Sequence, residues 1–218
     1  MKKPPIILTV LAIAALSLAA CSGSDDTADE PSAVESMASE SMEPDQSTGS
    51  PVGVTPEFVA PRVGNLTTYG DDTNGFSIDY PKNWQYAAQG EEGCPTTVCF
   101  VAPAQEGQVP AAIMVTVGQT EAENLQTGWN TARQLFIGSA GVTPKTVPGT
   151  QGNTEMAGEP AKTAQYTLVW GLIPSQMQQT MTLNKDNIPY MVTTISAESI
   201  WKDLEPTFTD VTASFTLG

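Results

Sequence analysis

The sequence predicts an α+β domain built on a mainly antiparallel sheet and preceded by a long acidic segment. Short runs that alternate apolar and polar residues recur between residues 75 and 196, the period of half-buried strands. Glu121–Ser139 instead spaces its apolar residues at steps of three and four, the pattern of an amphipathic helix. A second such stretch, Glu198–Ala213, lies close to the end of the chain. Runs of strands with helices inserted after the third and after the last favour an antiparallel sheet.

The first element is an address. Met1-Lys2-Lys3 is positive, and Ile6 to Ala20 is almost purely apolar. That run is shorter than the ~20 residues a spanning helix needs and fits a signal-peptide core. It ends in Leu18-Ala19-Ala20-Cys21, which resembles a bacterial lipobox. Residues 1–20 are therefore expected to be a lipoprotein signal peptide, with Cys21 acylated on sulfur, palmitate among its chains, and becoming the mature N-terminus. Several acyl chains anchor stably where one is marginal.

Residues 21–72 are expected to be a tether. From Ser22 to Asp72 there are 11 acidic residues against Arg62 alone, with no apolar periodicity. Low hydrophobicity with high charge cannot offset chain entropy, so this segment reads as a disordered spacer reaching ~40 Å. Phe58, Val59 and Val63, near its end, are the residues expected to begin docking on the domain.

The domain itself is placed at residues 73–218. Gly75–Pro81 alternates at period two, Pro81 ends it, and Trp84 follows as a core cover. Val98–Ala102 and Ala111–Val117 are the next strands. In the first helix Leu125, Trp129, Ala132, Leu135 and Phe136 form one stripe, read as core. Thr120 with Glu123 is the expected capping box, and Gly138 and Gly141 the stop. Thr143–Val147 is a short strand, and Met156–Ala161 carries turn chemistry. Three longer strands follow, Ala164–Trp170, Gln176–Asn184 and Pro189–Ser196, the last two joined by a turn at Lys185-Asp186-Asn187. The closing helix has Ile200, Trp201, Leu204, Phe208 and Val211 inward, and Pro206 is expected to divide it. Phe215 and Leu217 end the chain as a short strand or docking tail.

Two of these segments carry a resemblance. Gly75-Phe76-Ser77-Ile78-Asp79-Tyr80-Pro81-Lys82-Asn83-Trp84 resembles the opening strand of the PsbP-like family. Phe208-Thr209-Asp210-Val211-Thr212-Ala213-Ser214-Phe215 is similar to that family's last helix, which ends in a Ser-Phe pair. The resemblance implies an α-β-α sandwich with a central antiparallel sheet. The family includes actinobacterial lipoproteins, and it implies docking on a partner rather than catalysis. Metal sites of its photosynthetic members use histidine, which this chain lacks, so no metal or other cofactor is expected.

Composition sets limits on the chemistry. There are 9 Lys+Arg against 24 Asp+Glu, a net charge of −15, and no histidine. Nucleic-acid binding depends on cations neutralising phosphates, so it is excluded as a partner class. Without histidine there is no Ser-His-Asp or Cys-His catalysis and no His-ligated zinc. No G-x-S-x-G, phosphate loop or calcium-loop spacing occurs. Cys94 and Cys99 are read as a structural disulfide, with a redox-active pair as the alternative. Glu91-Glu92, and Glu155 with Glu159, are the carboxylates left for acid–base work, and acids at turns read as solvated surface.

Tyr166–Pro174 is apolar on both strand faces toward its end. Trp170, Leu172, Ile173 and Met177 are the candidate rim of an apolar groove for a lipid tail or partner segment, against a plain core reading. The function expected is a non-catalytic, monomeric lipoprotein, anchored by its lipid on the extracytoplasmic face of the cell membrane, or on the outer membrane in a diderm. It would bind an envelope protein or an amphiphile. The alternatives are a hydrolase using carboxylates only and an assembly factor for a membrane complex.

Overall fold

The computed structural model of the chain describes residues 57–91, 94–140 and 143–218. The signal peptide, Cys21, Glu92 and all of the tether before residue 57 lie outside the described residues. Among the described residues no helix is long and apolar enough to cross a membrane.

In chain order the elements are β1 (Leu66–Asp71), β2 (Phe76–Pro81), β3 (Gln85–Ala88), β4 (Val98–Val101), β5 (Ala111–Val117), α1 (Leu125–Ala140), β6 (Lys145–Thr146), β7 (Gly152–Met156), β8 (Glu159–Trp170), β9 (Ile173–Leu183), β10 (Pro189–Ala197), a 3-10 turn at Glu198–Ile200, α2 (Trp201–Ala213) and β11 (Thr216–Leu217). Every pairing is antiparallel. The large sheet runs β3-β4-β5-β10-β9-β8-β6, with β7 also paired to β8, and a small sheet runs β1-β2-β11. The fold class is thus the expected one, α+β with a central antiparallel sheet between helices.

Strand periodicity explains the layering. Along β5, Ala111, Ile113, Val115 and Val117 join one buried cluster, while Ala112 and Met114 join another. The first cluster holds Trp201, Leu204, Phe208 and Val211 of α2 together with Phe76 and Ile78 of the small sheet. The second holds Trp129, Ala132 and Phe136 of α1 with Met177, Met181 and Met191. Alternate side chains of a strand leave on opposite faces, so α1 covers one face of the large sheet and α2 with the small sheet covers the other. The two family-like segments meet here. Phe215 stacks on Phe76 at 5.6 Å, and the Ser214 hydroxyl accepts from the Asp79 N–H at 2.9 Å and donates to the Val211 carbonyl at 2.7 Å.

Several expectations need correction. The folded part begins upstream of Thr73: β1 precedes it, and Phe58 is 5% exposed in the first cluster. Val59 is 75% exposed and only its backbone is engaged, bonded in both directions to the Gln105 side chain. β7 and the first residues of β8 replace most of the predicted turn region, leaving Ala157-Gly158 as the turn itself. α1 starts four residues late. The side chain of Asn124, not Thr120, accepts from the Thr127 N–H (2.9 Å), and the Ala122 N–H is held by the Asn187 carbonyl (2.8 Å). Leu135, placed in the core stripe, is 63% exposed. Pro206 sits inside α2 without dividing it, and the break falls where the 3-10 turn meets Trp201. Four buried side chains on α2 hold the helix together despite the missing N–H, a loss of ~3 kcal/mol at an unsupported site.

Candidate functional site

The residues between β5 and α1 are strapped down rather than helical, and this opens a cavity. Gly118 donates to the Pro189 carbonyl at 2.8 Å, and a Cβ there would stand 2.6 Å from the Pro189 ring, so only glycine fits. With Gly118 and Ala122 both bonded to the chain entering β10, the segment runs along the sheet end before α1 begins. α1 then packs over β8, β9 and β10. Between it and the ends of β4 and β5 remains an open space of about 400 Å³.

Its inner surface is apolar: Val117, Ala132, Phe136 and Met191 are buried there. One wall is the loop closed by the Cys94–Cys99 disulfide (Cα–Cα 5.5 Å), which contributes Pro95, Thr96 and Thr97. The Thr97 hydroxyl oxygen accepts from the Val117 N–H at 3.0 Å and so fixes that loop to the sheet. The exposed lining residues include Leu135, Thr127 and Thr131 of α1 and the polar Gln119, Thr120, Glu121 and Glu123 before it. Inside, the Thr116 hydroxyl is buried with no hydrogen-bond partner among the described residues. The disulfide is present as the sequence leads one to expect.

The sequence candidates lie elsewhere, at the tip of the β8–β9 hairpin. Trp170 pairs with Ile173 across Gly171-Leu172, and Gly171 takes the φ of 62° that the tight turn requires. Leu172 is 85% exposed and Trp170 half-buried, whereas Ile173 and Met177 are buried. Ile173 belongs to the cluster beneath α2 and Met177 to the one beneath α1, so the four do not share one surface. None of them lines the cavity.

The candidate carboxylates are tied up or isolated. Glu91 accepts from the Ala88 N–H at 2.8 Å within its own turn, and Glu155 and Glu159 are exposed on the β7–β8 hairpin. Among the described residues no three His, Cys, Asp or Glu side chains gather as a metal site would require.

Sequence reasoning did not single out Leu135 as a site residue, although a signal was there. At about 100° per residue it falls about 90° from the mean direction of the other four stripe residues. A large apolar residue that far off the stripe points beside the core, here into the cavity.

No protein-family model matches the chain, and no curated protein sequence matches it. Solved structures do. Cyanobacterial PsbP (CyanoP) from Synechocystis sp. PCC 6803 superposes with a TM-score of 0.53 at 16% identity, over 75% of this chain and 98% of that one. LpqN, involved in cell envelope biogenesis of Mycobacterium tuberculosis, gives 0.48 at 12% identity over 70% and 90%. The Saccharomyces cerevisiae Ran-binding protein Mog1p gives 0.48 at 9% identity over 71% and 96%. The likeness to CyanoP shows the fold: this chain has the PsbP-like architecture that its two end segments suggest.

Proposed function

We propose that this chain is a non-catalytic binding lipoprotein, held through Cys21 on the extracytoplasmic face of a membrane, whose domain binds an amphiphile or an envelope protein. The observation that carries the reading is the open apolar cavity between α1 and the disulfide loop. A catalytic cleft needs a titratable group aimed at a reacting atom. The charged residues lining this cavity are Glu121 and Glu123, both exposed, while its buried wall is hydrocarbon and hydroxyl. The anchoring part of the reading rests on the sequence, on the apolar run ending in Leu18-Ala19-Ala20-Cys21. The hairpin tip around Trp170 and Leu172 is the surface this reading offers to a protein partner.

Native mass spectrometry of the chain purified from its host's membranes tests this. The expected result is a reproducible adduct that Thr131→Trp, on the cavity wall, abolishes. A bare mass together with no envelope protein cross-linked in cells would remove the binding reading. Substrate turnover that depends on Glu121 or Glu123 would remove the non-catalytic one.

A further inference from the structure

The charge pattern of the α1 cavity narrows what it binds, given the reading above that it is a binding site. We propose that it takes the hydrocarbon part of an amphiphile whose polar end is neutral or cationic, and that it discriminates against one ending in a carboxylate or phosphate.

The size comes first. About 400 Å³ lies within the ordinary range for small-molecule sites. It equals roughly a dozen waters at about 30 Å³ each, room for an alkyl segment of about ten carbons. The interior suits such a chain, because Val117, Ala132, Phe136 and Met191 give it apolar walls and Met191 adapts readily to shape. The Thr116 hydroxyl, buried and without a hydrogen-bond partner among the described residues, offers an uncharged polar point within these walls. Thr96, on the opposite side, already donates to the Val98 carbonyl at 3.2 Å.

The mouth decides the head group. Glu121 and Glu123 line it, and no lysine or arginine does. The N-terminus of α1 lies nearby and contributes about half a positive charge. One of its N–H groups is already taken by the Asn124 side chain, at 2.9 Å. Two full carboxylates outweigh that half charge. The net charge of the chain, −15, acts in the same direction at longer range. An anionic head at the mouth is repelled by both glutamates, an ammonium is attracted, and a hydroxyl is accepted without electrostatic cost.

The test uses three ligands with one chain length, decyltrimethylammonium, decanol and decanoate, each below its micelle concentration. They are titrated calorimetrically into the chain secreted as Cys21→Ser, so that no acyl group of its own competes. The ammonium and the alcohol are expected to bind one to one. Decanoate should bind about tenfold more weakly than the ammonium, the size expected from a few exposed charge contacts. The double variant E121Q/E123Q closes that gap and leaves decanol unchanged. T131W, an indole added at an exposed wall position, weakens all three while the melting temperature holds. Decanoate binding as tightly as the ammonium overturns the proposal and leaves the cavity a binding site. Failure of all three to bind, or binding indifferent to T131W, overturns it at the level of the cavity itself, and a native-mass adduct would then have to sit elsewhere.

Discussion

Tyr190 is 4% exposed, and its hydroxyl donates to the Asn74 carbonyl at 2.6 Å, tying β10 of the large sheet to the turn between β1 and β2. Its ring stands edge-on to Phe76 at 6.3 Å. Burial pushes its ionisation above that of a free phenol, partly offset by the Asn184 side chain. Burial also raises Tyr69, and it raises Tyr166 against the opposing charge of Arg133, whose guanidinium lies 5.2 Å over that ring. All three lose their proton near pH ~10 in the unfolded chain and later in the folded one. Below that pH both states keep the proton and the stability is whole. Above it the unfolded chain releases protons first, so stability falls as pH rises through the folded values. Urea midpoints are therefore expected to drop from about pH 9.5 upward, in step with the 295 nm tyrosine signal of unfolding. Tyr190→Phe should cost about 1 kcal/mol at pH 7 through the lost hydrogen bond, and should show a smaller alkaline drop than the parent. Equal alkaline drops in the two proteins would refute this account of Tyr190.

Among the elements, α1 makes the sharpest test because two capping registers compete in its sequence. The Thr120–Glu123 spacing offers a capping box, but the Ala122 N–H is drawn to the Asn187 carbonyl, which takes the backbone out of helix geometry. Asn124 then caps four residues later. Asn124→Ala is expected to cost about 1 kcal/mol and Thr120→Ala less than about 0.5 kcal/mol, read from thermal or urea unfolding. Similar losses from both would mean the helix starts at the earlier cap. The same competition explains what the sequence made legible. β2, β5 and β10 carry strong alternation or a dense apolar run, and α2 carries four inward apolar residues, so each could be read locally. β7, Gly-Asn-Thr-Glu-Met, has four exposed residues and is a strand because it pairs with β8. β1 has only Leu66 and Tyr69 to mark it, inside an acidic, turn-rich stretch. The cavity was illegible for a related reason. Its lining is drawn from residues between Gln89 and Met191, which lie together only once Gly118 and Ala122 are fastened to the chain at β10. Trp170, Leu172, Ile173 and Met177 did form a visible apolar run, but the period-two turn of a strand divides such a run between faces.

For the whole molecule, charge and anchoring belong to one argument. Removal of a leader carrying Lys2 and Lys3 would leave 24 acidic residues against 7 basic ones. Membrane anchors built from one weak lipid signal rely on a basic patch as the second, and each lysine or arginine near an anionic surface is worth about 1 kcal/mol. This chain has the opposite sign, so anionic headgroups repel it. On the proposed reading, attachment then rests on the acyl chains at Cys21 alone. Two consequences follow from that logic and separate it from peripheral binding. The parent chain should stay in the membrane fraction through a wash at about 1 M salt, where the screening length shrinks to about 3 Å and ionic attachments fail. Cys21→Ser should lose the incorporated palmitate label and appear wholly in the soluble fraction, with its unfolding midpoint unchanged, because every described contact of the fold lies at residue 57 or beyond. Retention of Cys21→Ser on membranes that a salt wash then strips would place the attachment on the domain surface, and would make the β8–β9 hairpin tip, with Leu172 at 85% exposure, the first region to mutate.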